Sequence, residues 1–212
     1  SDDAQKTKFL SLWQQRYDEV LTLFDEQIFP QPSAFYLDLQ NAASLLARLE
    51  IQGVDVGDRW ERVALASEQT MGQHLVVFTA AHQIMALART GRQQSLATTL
   101  SGWRDDAQAG MDQARTGAAV SDAVALYYEG VYPQFLNRMR QLRYEAPSLG
   151  ASHAQNDIYF QFMVAAALKV DDLALAKSLL KERLGQRVVV ADDWQRYTNM
   201  AQYIDGVTEP QA

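Results

Sequence analysis

The stretch FLSLWQQRYDEVLTLFDEQI, residues 9–28, decides the fold class. Phe9, Leu12, Trp13, Tyr17, Val20, Leu21, Phe24 and Ile28 recur at intervals of three and four, the period that puts apolar side chains on one helical face. Pro30-Gln31-Pro32 stops the unit, because proline has no N–H to give a continuing helix. The same period returns in Ala42, Leu45, Leu46 and Leu49, in Trp60, Val63 and Ala64, and in Leu75, Phe78, His82 and Met85. The β-branched run Val188-Val189-Val190 reads as a loop before a helix, with Asp192-Asp193-Trp194-Gln195 as a capping box behind it. The fold class expected is all-α.

Turn signals fall near Arg16-Tyr17-Asp18, Gly57-Asp58-Arg59, Gly91-Arg92-Gln93, Val131-Tyr132-Pro133 and Asp171-Asp172-Leu173. Their spacing of roughly 34 to 41 residues is that of antiparallel helix-pair repeats. Ala165, Ala166, Ala167, Ala174 and Ala176 sit where paired helices would approach closely. The rival arrangement is an ordinary helical bundle. In a repeat stack contacts run only between neighbouring units, and in a bundle they do not. Residues 110–120, with Gly117 and its alanines, read as the softest internal joint, and Gly206 to Ala212 as a frayed end. One domain over residues 1–212 is expected. The start Ser1-Asp2-Asp3-Ala4 lacks an initiator Met and an apolar signal region, and reads as an artificial boundary or a trimmed end, which leaves room for the chain to be the carboxyl part of a longer protein.

Nearly half of the 212 residues are apolar, enough for a substantial core. A formal charge of −7 argues against nucleic acid, which needs a local basic excess. With no cysteine, disulfides, thiolate nucleophiles and cysteine metal sites are excluded. A reducing cytoplasm fits. No apolar run approaches the length of about 18 residues that a transmembrane helix needs, so no membrane insertion is expected.

Three blocks resemble the tetratricopeptide repeat protein 38 family, over about residues 16–185. They are Asn41 to Glu50 with Gly53 to Trp60; His74 to Phe78 with His82 and Met85-Ala86; and Leu142-Arg143-Tyr144 with Gly150 to Asp157. The resemblance implies a TPR-like α-solenoid with an interaction role and no established reaction. The chain departs from the family pattern at Ala47 (usually Trp), at Thr79-Ala80-Ala81 (usually Asn-Asp before the histidine), at Asn156 (usually Arg) and at Ala4 to Thr7 (usually Trp-Trp-His).

The polar residues in these blocks are the candidate binding set: Asn41, Arg48, His82, Arg143, His153 and Asp157. His74 and His82, eight residues apart on one expected helix, lie roughly 80° apart around it and share a face only loosely. His153 and Asp157, four apart, share a face, so the carboxylate could orient the ring as a base. Structural roles compete. His153 could close the turn after Gly150, with Asp157 holding the first helical turn against the dipole. Arg48 could pair with Asp55 or Asp58, or fork onto a ligand carboxylate. Trp13, Trp60, Trp103 and Trp194 read as core, and Lys177 to Arg183 as a solvated helix face of mixed charge.

No His-Glu-x-x-His, Gly-rich phosphate loop or nucleophile elbow appears, so no catalytic residue, metal ligand or cofactor is assigned. The expected function is a helical repeat module that binds a protein or peptide partner, with a homo-dimer as one form of such contact. The alternative is a small-molecule-binding protein or enzyme built on His82, His153 and Asp157.

Overall fold

A computed structural model describes residues 16–73, 76–111 and 113–185 of the protein, with side chains withheld at His153, Ala154 and Leu184. Among the described residues every regular element is helical and no strand occurs. Helix α1 (16–23) runs into a π-helical turn, Phe24–Ile28. There follow α2 (Tyr36–Ile51), α3 (Arg59–Gln69), α4 (Val77–Arg89), α5 (Gln93–Gln108), α6 (Ala114–Tyr128) and α7 (Tyr132–Glu145). A 3-10 turn, Ala146–Leu149, leads to α8 (His153–Lys169) and α9 (Leu173–Gly185). His74, Trp13, Trp194, the run Val188 to Val190, the expected cap at Asp192 to Gln195 and the end Gly206 to Ala212 lie outside the described residues.

The punctuation follows local chemistry. Pro30 and Pro32 separate the π-helical turn from α2, and Pro133 sits in the first turn of α7, where its missing N–H costs nothing. The expected turns at Gly57, Gly91, Val131 and Asp171 immediately precede α3, α5, α7 and α9. The fifth does not hold: Arg16-Tyr17-Asp18 is already helical in α1. Of the stretch 110–120 read as a soft joint, residues 114–120 are helix. Ala114, Gly117 and Ala118 are buried at the start of α6, which packs against both α4 and α5.

The helices divide by how much surface they bury. In α4 every residue from Phe78 to Leu87 is buried, and in α8 every residue from Asp157 to Val164. Such all-round burial marks an interior helix. Alanines at 80, 81 and 86 let neighbours approach α4 from several sides, and α2, α3, α5 and α6 all pack on it. By contrast α5 buries Leu96, Thr99 and Trp103, and α7 buries Phe135 and Met139, single stripes at helical spacing. These are covering helices.

Consecutive helices pack throughout α2 to α9, and α2 also packs on α8, far along the chain. Rings extend that closure. Tyr159 of α8 meets Phe78 of α4 edge-on at 6.1 Å, and Phe162 of α8 lies 4.3 Å from Tyr127 of α6. Ala166 and Ala167 of α8 and Ala176 of α9 are fully buried, as close helix approach requires. No described helix is long and apolar enough to cross a membrane.

Candidate functional site

Helices α2 and α4 carry a polar seam through this apolar interior. Gln40 and Ser44 lie one turn apart on α2, and Thr79 and His82 one turn apart on α4, so each pair faces the other helix. The Gln40 amide donates to the Thr79 hydroxyl at 2.7 Å, and Ser44 Oγ lies 2.9 Å from His82 Nε2. His82 Nδ1 is 3.0 Å from the Phe78 carbonyl. A carbonyl can only accept, so the ring proton sits on Nδ1, and Nε2 accepts from the Ser44 hydroxyl. Burial pushes the His82 pKa down to about 4; the Phe78 carbonyl opposes that, and the nearby Arg48 cation reinforces it.

The seam reaches α8 through that helix's own cap. Ser152 accepts from the Gln155 backbone N–H at 3.2 Å, and the Gln155 side chain accepts from the Ser152 N–H at 3.0 Å. This is the reciprocal capping box. The other end of the Gln155 amide donates to Gln40 Oε1 at 3.4 Å. Asp157 therefore does not hold the first turn. It is buried one turn further on, accepting from Gln161 at 2.7 Å and from the Arg183 Nε at 2.7 Å.

The candidate residues fall into two groups. Arg48 and His82 share Ser44: the Arg48 guanidinium donates to the Ser44 carbonyl at 3.1 Å while the hydroxyl serves the imidazole. Asp55, one of the partners expected for Arg48, accepts from the Gly57 N–H in its own turn. Arg143 and Asp157 are instead anchored on consecutive residues of α9. Arg143 pairs with Glu182 at 3.2 Å, its guanidinium over the Tyr144 ring at 4.2 Å, and Asp157 takes Arg183. Asn41 is exposed on α2. His153 opens α8, its side chain outside the described set.

Sequence reasoning missed Gln40, Ser44, Thr79, Gln155, Glu182 and Arg183. A signal existed for Gln155, which stands three residues after Ser152 ahead of an apolar run. The run Lys177 to Arg183 is not simply a solvated face, since its last two charges reach α7 and α8. Trp60 and Trp103 are buried, as expected of core. Among the described residues no group of three or more His, Asp and Glu is arranged to hold a metal ion.

One surface feature stands apart. Phe35, Tyr36 and Leu37, at the start of α2, are 52%, 40% and 37% exposed, with the two rings 5.0 Å apart. No protein-family model matches the chain, and no solved structure matches it.

Proposed function

We propose that the protein is a protein- or peptide-binding module, built of helix pairs stacked as a TPR-like α-solenoid of the kind the tetratricopeptide repeat protein 38 resemblance implies. The pairwise packing of successive helices and the side-by-side runs of α2 on α4 and α4 on α6 support the stack, and the α2–α8 contact departs from its neighbour-only pattern. The observation that carries the binding role is the exposed Phe35-Tyr36-Leu37 step. Two large aromatic rings left in water gain roughly 1 kcal/mol or more each when a partner covers them. They stand on a helix held by Gln40 and Ser44 only one and two turns away, so little freedom is lost on binding.

A pocket built on His82, His153 and Asp157 has less in its favour. Both ring nitrogens of His82 are already engaged, and Asp157 is held by Gln161 and Arg183.

The test is selection of a displayed random-peptide library on the protein, followed by titration of the winning peptides onto a Phe35→Ala/Tyr36→Ala variant of unchanged circular dichroism. The expected result is at least a tenfold loss of affinity. Peptides that bind the variant equally well would sink the assignment. Sedimentation of both proteins identifies the dimer form of the proposal, in which the wild type pairs and the variant does not.

A further inference from the structure

The exposed Phe35-Tyr36-Leu37 step stands at the end of the molecule from which the chain leaves α9. Tyr36 lies one turn before Gln40 on α2, and Gln40 meets Gln155, at the start of α8, at 3.4 Å. Two residues on, Asp157 takes Arg183 of α9 at 2.7 Å, and α9 ends two residues later at Gly185. A second contact fixes the same end of α9, since Arg143, in the last turn of α7, pairs with Glu182. The start of α2, the start of α8 and the end of α9 are therefore neighbours. Each step of the path between them is one turn of helix, one hydrogen bond or two residues of chain. Among the described residues, this step is the one place where three large apolar side chains are exposed in a row.

Residues 186–212 follow α9 in the sequence and lie outside the described residues. Their sequence carries a second apolar stripe. Trp194, Tyr197, Met200, Ala201 and Ile204 are spaced so that on a helix they would share a face about 120° wide. Gln195, Thr198, Asn199 and Gln202 would take the opposite side. A stripe holding a tryptophan and a tyrosine calls for an apolar surface to cover it, and the patch calls for an apolar cover. The nine peptide steps from Gly185 to Trp194 span up to about 30 Å when extended, a length that suits an end shared by both.

We propose that the chain's own segment 194–204 docks its apolar face on Phe35, Tyr36 and Leu37, and so competes there with a partner peptide. The competition rests on the binding role proposed above for the patch; the docking itself does not. A short tether holds the segment near the patch at an effective concentration in the millimolar range, so a contact too weak to form between separate molecules forms within one. A partner then meets an open patch in only a fraction of the molecules, and its apparent affinity falls by that fraction.

The chain has no cysteine, so Gln202→Cys gives a nitroxide label a single attachment point in the whole protein. The label is expected to remove more than half of the amide signal intensity of Phe35, Tyr36 and Leu37. Gln134, at the far end of α7, should keep its intensity. Adding Trp194→Ala/Tyr197→Ala to the labelled chain should restore the three signals. No broadening at the patch, or broadening that survives the loss of both rings, overturns the docking. Nitroxide-bearing chains mixed with nitrogen-15 chains that lack the label should leave the patch signals intact. Broadening in that mixture assigns the patch to a second copy and overturns the contact within one chain. Library peptides that need the patch should bind the unlabelled Trp194→Ala/Tyr197→Ala protein three- to tenfold more tightly than the wild type, and equal affinity overturns the competition. Peptides indifferent to Phe35→Ala/Tyr36→Ala defeat the partner role and leave the docking result standing. Peptides that need the patch in a protein without broadening defeat the docking alone.

Discussion

At Gly117 the absence of a side chain is a packing requirement. A Cβ built there would overlap the Val77 Cγ1 methyl, across the contact between α6 and α4. Ordinarily Gly→Ala inside a helix stabilises by about 1 kcal/mol through propensity. Overpacking against a β-branched side chain costs about 1–3 kcal/mol, because valine has few alternative rotamers on a helix. The second effect is larger, so Gly117→Ala should lose about 1 kcal/mol in urea denaturation. In a Val77→Ala background the same change should turn stabilising, by roughly 0.5–1 kcal/mol, because the obstructing methyl is gone and propensity remains. A penalty that persists without the valine methyls would show that something other than this contact excludes the Cβ. The sequence suggested looseness here because glycine and alanine are also the residues of flexible joints. Only the partner surface distinguishes the two roles. His82 is a similar case: its apolar stripe placed it correctly on a helix face, while its partner Ser44, 38 positions earlier, carried no mark of being opposite.

At the scale of the element, the ends of the inner helices share one device. After α2, α4 and α6 the chain turns through Gly53, Gly91 and Gly130, each in the left-handed region at φ of 77°, 69° and 76°. In each case the next N–H reaches six residues back along the chain, counting inclusively: Val54 to Leu49, Arg92 to Leu87 and Val131 to Leu126. This closure satisfies carbonyls that the helix leaves open. Helix α8 ends in the same way, with Asp172 N–H on the Ala167 carbonyl, yet the left-handed position is Asp171, at φ 56°. A residue with a Cβ pays about 1 kcal/mol in that conformation, less for aspartate than for most. Asp171→Gly should therefore stabilise the protein by about 0.5–1 kcal/mol. A thermal midpoint raised by a few degrees checks it, whereas an unchanged or lowered midpoint would mean that the Asp171 side chain contributes more than its backbone costs. Glycine and proline punctuation is why three of the five turns could be placed from sequence, and one more was found from Asp171-Asp172 despite its missing glycine. The first was misplaced because Arg16-Tyr17-Asp18 is polar without being a terminator: it has no Gly or Pro, and all three residues are helical.

At the scale of the molecule, the helical period and turn spacing were legible in the sequence, while the contact between α2 and α8 was not. Periodicity reports which face of a helix is apolar, not which distant helix covers it. That contact decides how the protein should unfold. In a strict stack each unit touches only its neighbours, so one end can melt while the other stands. Here α8 reaches α2 directly and meets α4 and α6 through Phe78, Tyr127 and Tyr128, joining both ends of the described chain in one core. Loss of either end should expose the interior of the other. Two buried tryptophans report on different places, Trp60 on α3 near Tyr128 and Trp103 on α5 in a separate small cluster with Ala80, Ala114 and Ala118. Variants retaining Trp60 or Trp103 as the sole tryptophan, the other three changed to Phe, isolate each signal. Each substitution will shift overall stability, so each variant should be followed by its own fluorescence and by far-ultraviolet dichroism together. In both variants the two signals should give the same urea midpoint and slope, as an all-or-none transition requires. If Trp103 fluorescence moves ahead of the dichroism while Trp60 stays with it, α5 and its cluster melt on their own, and the α2–α8 closure does not make the molecule a single cooperative unit.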